Sequence, residues 1–256
     1  MTIQDLFGLT GKRAFISGSS KGIGFALAKG LADAGASIVI NGRNEEMLAA
    51  AALQLEAHGA QVSTACFDVT DPTAVNAGIE KIEAETGPID ILVNNAGMQH
   101  RTPLEDFPDD AWDTLMRTNV SSVFNVGKAV AKHMIARERG KIINICSVQT
   151  ALARPGIAPY VASKGAVANL TKGMCTDWAK YGLQVNGLAP GYFETELTGA
   201  LVADPEFTAW LSNRTPAGRW GKVEELVGAA VFLSSDSASF VNGHILYVDG
   251  GITACL

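Results

Sequence analysis

Seven short apolar runs, at about residues 13–17, 37–41, 62–67, 90–94, 141–146, 184–188 and 245–248, are separated by segments with helical patterning. A chain that alternates in this way folds as parallel strands joined by crossover helices, because a parallel pair needs a long return connection. In the run KIINIC at 141–146, Ile142, Ile143 and Ile145 leave little room for a solvated face, as expected of a strand covered on both sides. No Pro-, Gly- or Ser-rich tract, low-complexity segment or long-period repeat breaks the pattern. With 256 residues, 47% of them hydrophobic, the expectation is one large α/β domain over 1–256, a doubly wound parallel sheet of about seven strands flanked by helices.

The first run, RAFIS, leads into Gly18-Ser19-Ser20-Lys21-Gly22-Ile23-Gly24 and then the helical FALAKGLADAG. A strand, a glycine turn and a helix start together suit a pyrophosphate: the glycines allow close backbone approach, and the first helical turn offers unpaired N–H groups. The second run, SIVIN, ends in Asn41-Gly42-Arg43, with no acidic residue where NAD-binding chains hold the ribose hydroxyls. Arg43, helped by Lys21, suits a 2′-phosphate, so NADP (NADPH) is favoured over NAD, with Glu45 and Glu46 left as ribose alternatives. Asp68 and Val69 end the third run, where Asp68 either meets the adenine edge or caps structure, and Thr70 or Asp71 caps the helix begun by Pro72. After IDILVN come Asn94-Asn95-Ala96-Gly97, amides and small residues at the ligand edge of the sheet.

Ser147 follows the 141–146 run and so lies at a strand's carboxyl end, where open α/β sheets bind ligands. Beyond it Pro159 suits a helix start and Gly182 a helix end, which puts Tyr160 and Lys164 on one face, about 6 Å apart along the axis. A free phenol has a pKa of about 10, and a nearby ammonium lowers it. Tyr160 can then exchange a proton with a hydroxyl or carbonyl oxygen while Ser147 hydrogen-bonds that oxygen. A Tyr and Lys four apart also describe an ordinary exposed helix face, and the surrounding motifs decide between the two.

A net charge of −6 argues against a nucleic-acid partner, and no apolar run approaches the ~20 residues of a membrane span. The opening MTIQDLFGLTGK lacks signal-peptide regions, so a cytoplasmic location is expected. Cys66, Cys146, Cys175 and Cys255 are scattered, as are His58, His100, His133 and His244, so neither disulfides nor a metal site is expected.

Taken together, S-G-x-x-K-G-I-G from Ser17, N-N-A-G from Asn94, Ser147, Tyr160-x-x-x-Lys164 and Pro190-Gly191 resemble the short-chain dehydrogenase/reductase family. The resemblance implies a Rossmann-type homotetramer that moves hydride between nicotinamide and a carbonyl or alcohol carbon, with Asn119, Ser147, Tyr160 and Lys164 as its catalytic set. Asn119, in a segment that reads as helix, would position a water linking Lys164 to solvent, and Lys164 would also hold the cofactor's ribose. Gly18, Ile23, Asn95 and Phe193 match cofactor-binding positions. Ser20, Lys21, Gly22, Gly24, Arg43, Asp68, Val69, Ala96, Gly97, Tyr160, Lys164, Pro190, Gly191 and Thr195 complete the expected cofactor-binding set.

NNAGMQHRTPLEDF, NICSVQ, LAPGYFETELT, RTPAGRWG and FVNGHILYVDGG narrow the resemblance to members of the family that act on sugar acids. The expected substrate is a small sugar acid or polyol, handled by Ser147 and Tyr160, with Arg101 receiving a carboxylate and Arg154 and His100 as lesser candidates. His100 stands where this subgroup more often has a second arginine, and Thr150-Ala151 where it has a Ser-Glu pair. Carrier-protein ketoreductases share the same tetrad, and a non-catalytic nucleotide sensor would share the fold. Residues 192–220, with Phe207, Trp210 and Trp220, read either as a mobile substrate lid or as a fixed helical insertion.

Overall fold

The computed structural model describes residues 2–255. Its strands are β1 (Arg13–Ile16), β2 (Ser37–Gly42), β3 (Val62–Cys66), β4 (Ile91–Asn94), β5 (Gly140–Ile145), β6 (Leu183–Pro190) and β7 (Ile245–Val248). All seven form one sheet in the order β3-β2-β1-β4-β5-β6-β7, with every neighbouring pair parallel. This is a Rossmann-type doubly wound sheet, and its order reverses between β1 and β4, so a crevice opens at their carboxyl ends.

α1 (Ile3–Phe7) precedes β1, and the crossovers are made by α2 (Gly22–Asp33), α3 (Glu45–Ala57), α4 (Pro72–Lys81), α5 (Asp109–Met116), α6 (Ser122–Ala136) and α7 (Ala158–Trp178). After β6 come α8 (Gly199–Val202), α9 (Pro205–Arg214) and α10 (Val227–Ser234). Successive strand side chains alternate between two cores, one holding Phe15, Val39, Leu92 and Ile142, the other Ala14, Ile16, Ile38, Ile91 and Ile143. Both faces being covered explains why the central strands β1, β2 and β4 are largely apolar.

Local chemistry sets the helix ends. Asn44 caps α3 by accepting the Met47 N–H at 2.8 Å, and Asp71 rather than Thr70 caps α4 through the N–H groups of Thr73 and Ala74. Pro159 lies in the first turn of the 21-residue α7, and Gly182 ends the 3₁₀ turn Ala179–Tyr181 at φ +78°. The helix expected around Asn119 is present, with a local change of pitch. Asn119 lies in a π turn, Arg117–Ser121, where Ser122 N–H reaches back to Arg117 O.

Buried polar groups lock α7 to the sheet. Asn94 Nδ2 donates to Asn144 Oδ1 at 2.9 Å, and Asn144 Nδ2 donates to Thr171 Oγ1 at 2.9 Å, so β4, β5 and α7 are joined just beneath the ligand edge.

The glycine turn is locked in a similar way. Asn95 Nδ2 donates to Gly18 O at 2.8 Å and Ser17 O at 3.1 Å, while a Cβ on Gly24 would overlap Asn95 Nδ2 and stand 2.5 Å from Gly18 O. Gly24→Ala should therefore destabilise the fold by about 1–3 kcal/mol and weaken NADPH binding. Thermal denaturation and cofactor fluorescence titration check both effects.

Candidate active site

A cavity of about 830 Å³ opens over the crevice at the carboxyl ends of β1 and β4. On its nucleotide side stand Gly18, Ser20, Lys21, Gly22 and Ile23, with Gly18 at φ +60° and Gly22 at φ +59°. Gly18 is required twice over, since a Cβ there would also sit 2.9 Å from Ala96 Cα. Lys21, the N-cap of α2, makes no side-chain capping bond, so the N–H groups of the first turn are left for an anion. Gly24 is off the cavity wall and serves the packing of α2 against Gly18, Ser19 and Asn95.

At the end of β2, buried Asn41 is spent on structure, accepting from Gly18 N–H at 3.4 Å and donating to Ala65 O at 2.9 Å and Phe67 O at 3.2 Å. Arg43 lines the cavity with its side chain largely exposed, 3.5 Å from Asp68 Oδ2, while Glu45 and Glu46 lie in the first turn of α3 and off the wall. Burial works to raise the Asp68 carboxyl, but hydrogen bonds from Thr70 and the Arg43 guanidinium outweigh it and hold the pKa below its ordinary value. Val69, Asn95, Ala96 and Gly97 continue the wall, and the N–H groups of Asn95 and Ala96 both donate to Ser17 Oγ, at 3.0 and 3.1 Å.

Ser147, Tyr160 and Lys164 meet on the same wall. Ser147 is buried beyond β5, and its Oγ accepts the Gln149 N–H at 3.1 Å, which leaves the hydroxyl proton free to be donated outward. Lys164 is 5% exposed, with Nζ donating to Ile145 O at 2.7 Å and lying 5.7 Å from the centroid of the Tyr160 ring. Asn119 is behind the wall, its Oδ1 accepting Met98 N–H at 2.8 Å and its Nδ2 donating to Met98 O at 2.9 Å and Ser163 Oγ at 3.1 Å. Both of its amide N–H groups are thus used in tying Met98, just past the Asn94–Gly97 turn, to Ser163 of α7. Gly97 lies between Asn119 and Lys164, since a Cβ there would be 3.4 Å from Asn119 Oδ1 and 3.9 Å from Lys164 Nζ. Pro190, Gly191, Phe193 and Thr195 close the cavity from the β6 side.

A family model described as enoyl-(acyl carrier protein) reductase matches residues 18–253. Gluconate 5-dehydrogenase of Gluconobacter oxydans (strain 621H) is 66% identical over 256 residues, 100% of both chains. The 5-keto-D-gluconate 5-reductase of Escherichia coli (strain K12) is 53% identical over 250 residues, 98% of each. A crystal structure of a gluconate 5-dehydrogenase from Burkholderia cenocepacia J2315 in complex with NADP and tartrate has a TM-score of 0.98 at 60% identity, covering 100% of both chains. The chain belongs to the short-chain dehydrogenase/reductase family.

In this short-chain dehydrogenase/reductase the far end of the cavity is cationic. Arg101 and Arg154 both line it, and neither forms an ion pair with an acid among the described residues. Burial and the neighbouring charge of Arg154 lower the Arg101 pKa from its ordinary value, so the two guanidiniums lie close enough to repel. His100 is instead turned to Thr102 Oγ1, at 2.9 Å, and to the Phe107 ring, and it is absent from the cavity lining. Gln149 and Tyr192 line the cavity as well, and sequence reasoning passed over both. The retention of Gln149 within NICSVQ beside Ser147 was the available signal.

Within 192–220 the aromatics pack on one another, with the Tyr192 ring 5.8 Å from Phe207, 6.3 Å from Trp210 and 5.9 Å from Trp220. Trp220 is 6% exposed, and its Nε1 donates to Thr208 Oγ1 at 3.2 Å. The same segment meets the glycine turn through Lys21 Nζ and Glu196 Oε2, 2.7 Å apart and both well exposed.

Cys146 borders Ser147, but burial pushes its thiol up to about 11 despite nearby Lys164 and Thr171. A group with its pKa raised in this way stays protonated, and inert as a nucleophile, until pH climbs towards that value. Alkylation with iodoacetamide at pH 8, mapped by mass spectrometry, should label exposed Cys66 and spare Cys146.

Proposed function

We propose that this chain is an NADP-dependent oxidoreductase that interconverts the keto group of 5-keto-D-gluconate and the secondary alcohol of D-gluconate. The observation that carries the reading is a single cavity with Ser147, Tyr160 and Lys164 on one wall and two unpaired arginines, Arg101 and Arg154, at its far end. NADP fits the near end: the Gly18 cradle, the free first turn of α2 and Arg43 suit its phosphates, and no acid on the wall at the end of β2 competes for the ribose. Bound there, NADPH supplies the hydride.

The chain's own residues handle the substrate oxygen. Ser147, its oxygen already accepting from Gln149, donates its proton to the carbonyl oxygen as negative charge grows there. Tyr160 delivers the proton that completes the alcohol, and takes it back in the reverse direction. Lys164, tethered at Ile145 O, keeps two N–H groups for ribose hydroxyls and sets a positive charge beside the phenol ring. With the Asn119 amide committed to Met98 and Ser163, a water relay from Lys164 would rest on the backbone of the π turn rather than on that side chain. Arg101 receives the substrate carboxylate, and residues 192–220 cover the bound acid and exclude water. Assembly as a homotetramer is carried over from the family resemblance, and exposed Trp112, Phe124 and Phe240 are apolar surface that such contacts would cover.

With NADPH, purified protein should reduce 5-keto-D-gluconate far faster than an uncharged ketose such as D-fructose; reduction of other carbonyls but not of 5-keto-D-gluconate would refute the assignment. Tyr160→Phe should lose roughly 10²–10⁴-fold in kcat and retain NADPH binding. Arg43→Asp should move the NADPH-to-NADH ratio of kcat/KM by about 10- to 100-fold towards NADH, as measured in parallel assays with the two cofactors.

A further inference from the structure

Two unmet hydrogen-bonding needs lie at the far end of the cavity. Gln149 is only 6% exposed and lines the cavity, yet its Oε1 has no partner among the described residues. Arg154 Nε is likewise buried without a partner, while the guanidinium rests over the Phe207 ring at 5.4 Å. Tyr192 lies beside both: its hydroxyl oxygen accepts from Gln149 Nε2 at 3.3 Å, and the nearby positive charge of Arg154 works to lower its pKa. Burial outweighs that charge and raises the Tyr192 pKa, so this phenol stays neutral while its oxygen accepts from Gln149. A buried acceptor and a buried donor, each unsatisfied and both beside one phenol, are costly unless something that binds there satisfies both.

We propose that Gln149, Arg154 and Tyr192 form a subsite that reads a 2-hydroxy carboxylate, with Arg154 Nε donating to the carboxylate and Gln149 Oε1 accepting the proton of the hydroxyl on the next carbon. The inference rests on the sugar-acid reading and extends it from charge to hydroxylation pattern. Arg101 takes the second carboxylate oxygen, which relieves its repulsion from Arg154. Gln149 is well placed as a reader, because its own N–H is bonded to Ser147 Oγ and its backbone is therefore tied to the reacting end. A 2-deoxy acid leaves Oε1 unsatisfied, and a 2-oxo acid sets a second acceptor against it.

The test compares D-gluconate with 2-deoxy-D-gluconate, oxidised with saturating NADP. Wild type should favour D-gluconate by roughly 10- to 100-fold in kcat/KM. Gln149→Met, close to isosteric, should lose that factor on D-gluconate alone, bringing the ratio to within about threefold of unity. Arg154→Lys keeps a charge but lacks Nε and should raise KM for both acids about tenfold or more while preserving their ratio. If Gln149→Met no longer binds NADPH, Gln149→Asn, which withdraws the amide by one methylene, replaces it with the same expectation. Equal use of the two acids by wild type, or an unchanged ratio in the Gln149 variant, would overturn the subsite. Failure to oxidise either acid, with other alcohols accepted, would instead sink the sugar-acid reading itself.

Discussion

A buried ammonium must find acceptors, and Lys164 finds one in the last carbonyl of β5, Ile145 O at 2.7 Å. That bond fixes α7 against the strand end from which Ser147 projects, and Tyr160 rides on the same helix one turn earlier. The rest of the polar stitching points the same way: Thr171 takes the Asn144 amide, and Ser163 takes the Asn119 amide. One face of α7 thus carries hydrogen-bonding groups at Ser163, Lys164 and Thr171 among Val167, Ala168 and Met174, so that its register along the sheet is set by directional bonds as well as by apolar packing. Because Ile145 O is the ammonium's only hydrogen-bond acceptor among the described residues, the tether positions the amine without exhausting it.

Much of this was legible in the chain. The strands are visible because a sheet buried on both faces favours short apolar runs, and Ile142, Ile143 and Ile145, with only Asn144 among them, provide one. Tyr160 and Lys164 are visible because four-residue spacing maps directly onto a helix face. The glycine turn was read as a phosphate cradle, yet composition does not say which glycine faces a ligand and which faces a neighbouring side chain; Gly24 turned out to face Asn95. The π turn at Asn119 left no mark either, since widening a helix by one residue per bond changes no side-chain pattern.

The far end of the cavity was the least legible part. Loops have no periodicity to project, so Arg101, Arg154 and His100 could not be ranked by spacing, and only the folded chain turns Arg154 inward and His100 towards Phe107. Gln149 and Tyr192, 43 positions apart, come together only because β5 and β6 are sheet neighbours.

The cavity walls have a divided origin. Up to Gly97 the chain builds the nucleotide end from β1, β2, β3, β4 and their turns, whereas Gln149, Arg154 and Tyr192 build much of the opposite end. Changes in those later loops can therefore alter which acid is chosen without disturbing the grip on the dinucleotide. Such a division makes the scaffold evolvable: diversification can proceed in one region while the shared redox currency remains intact.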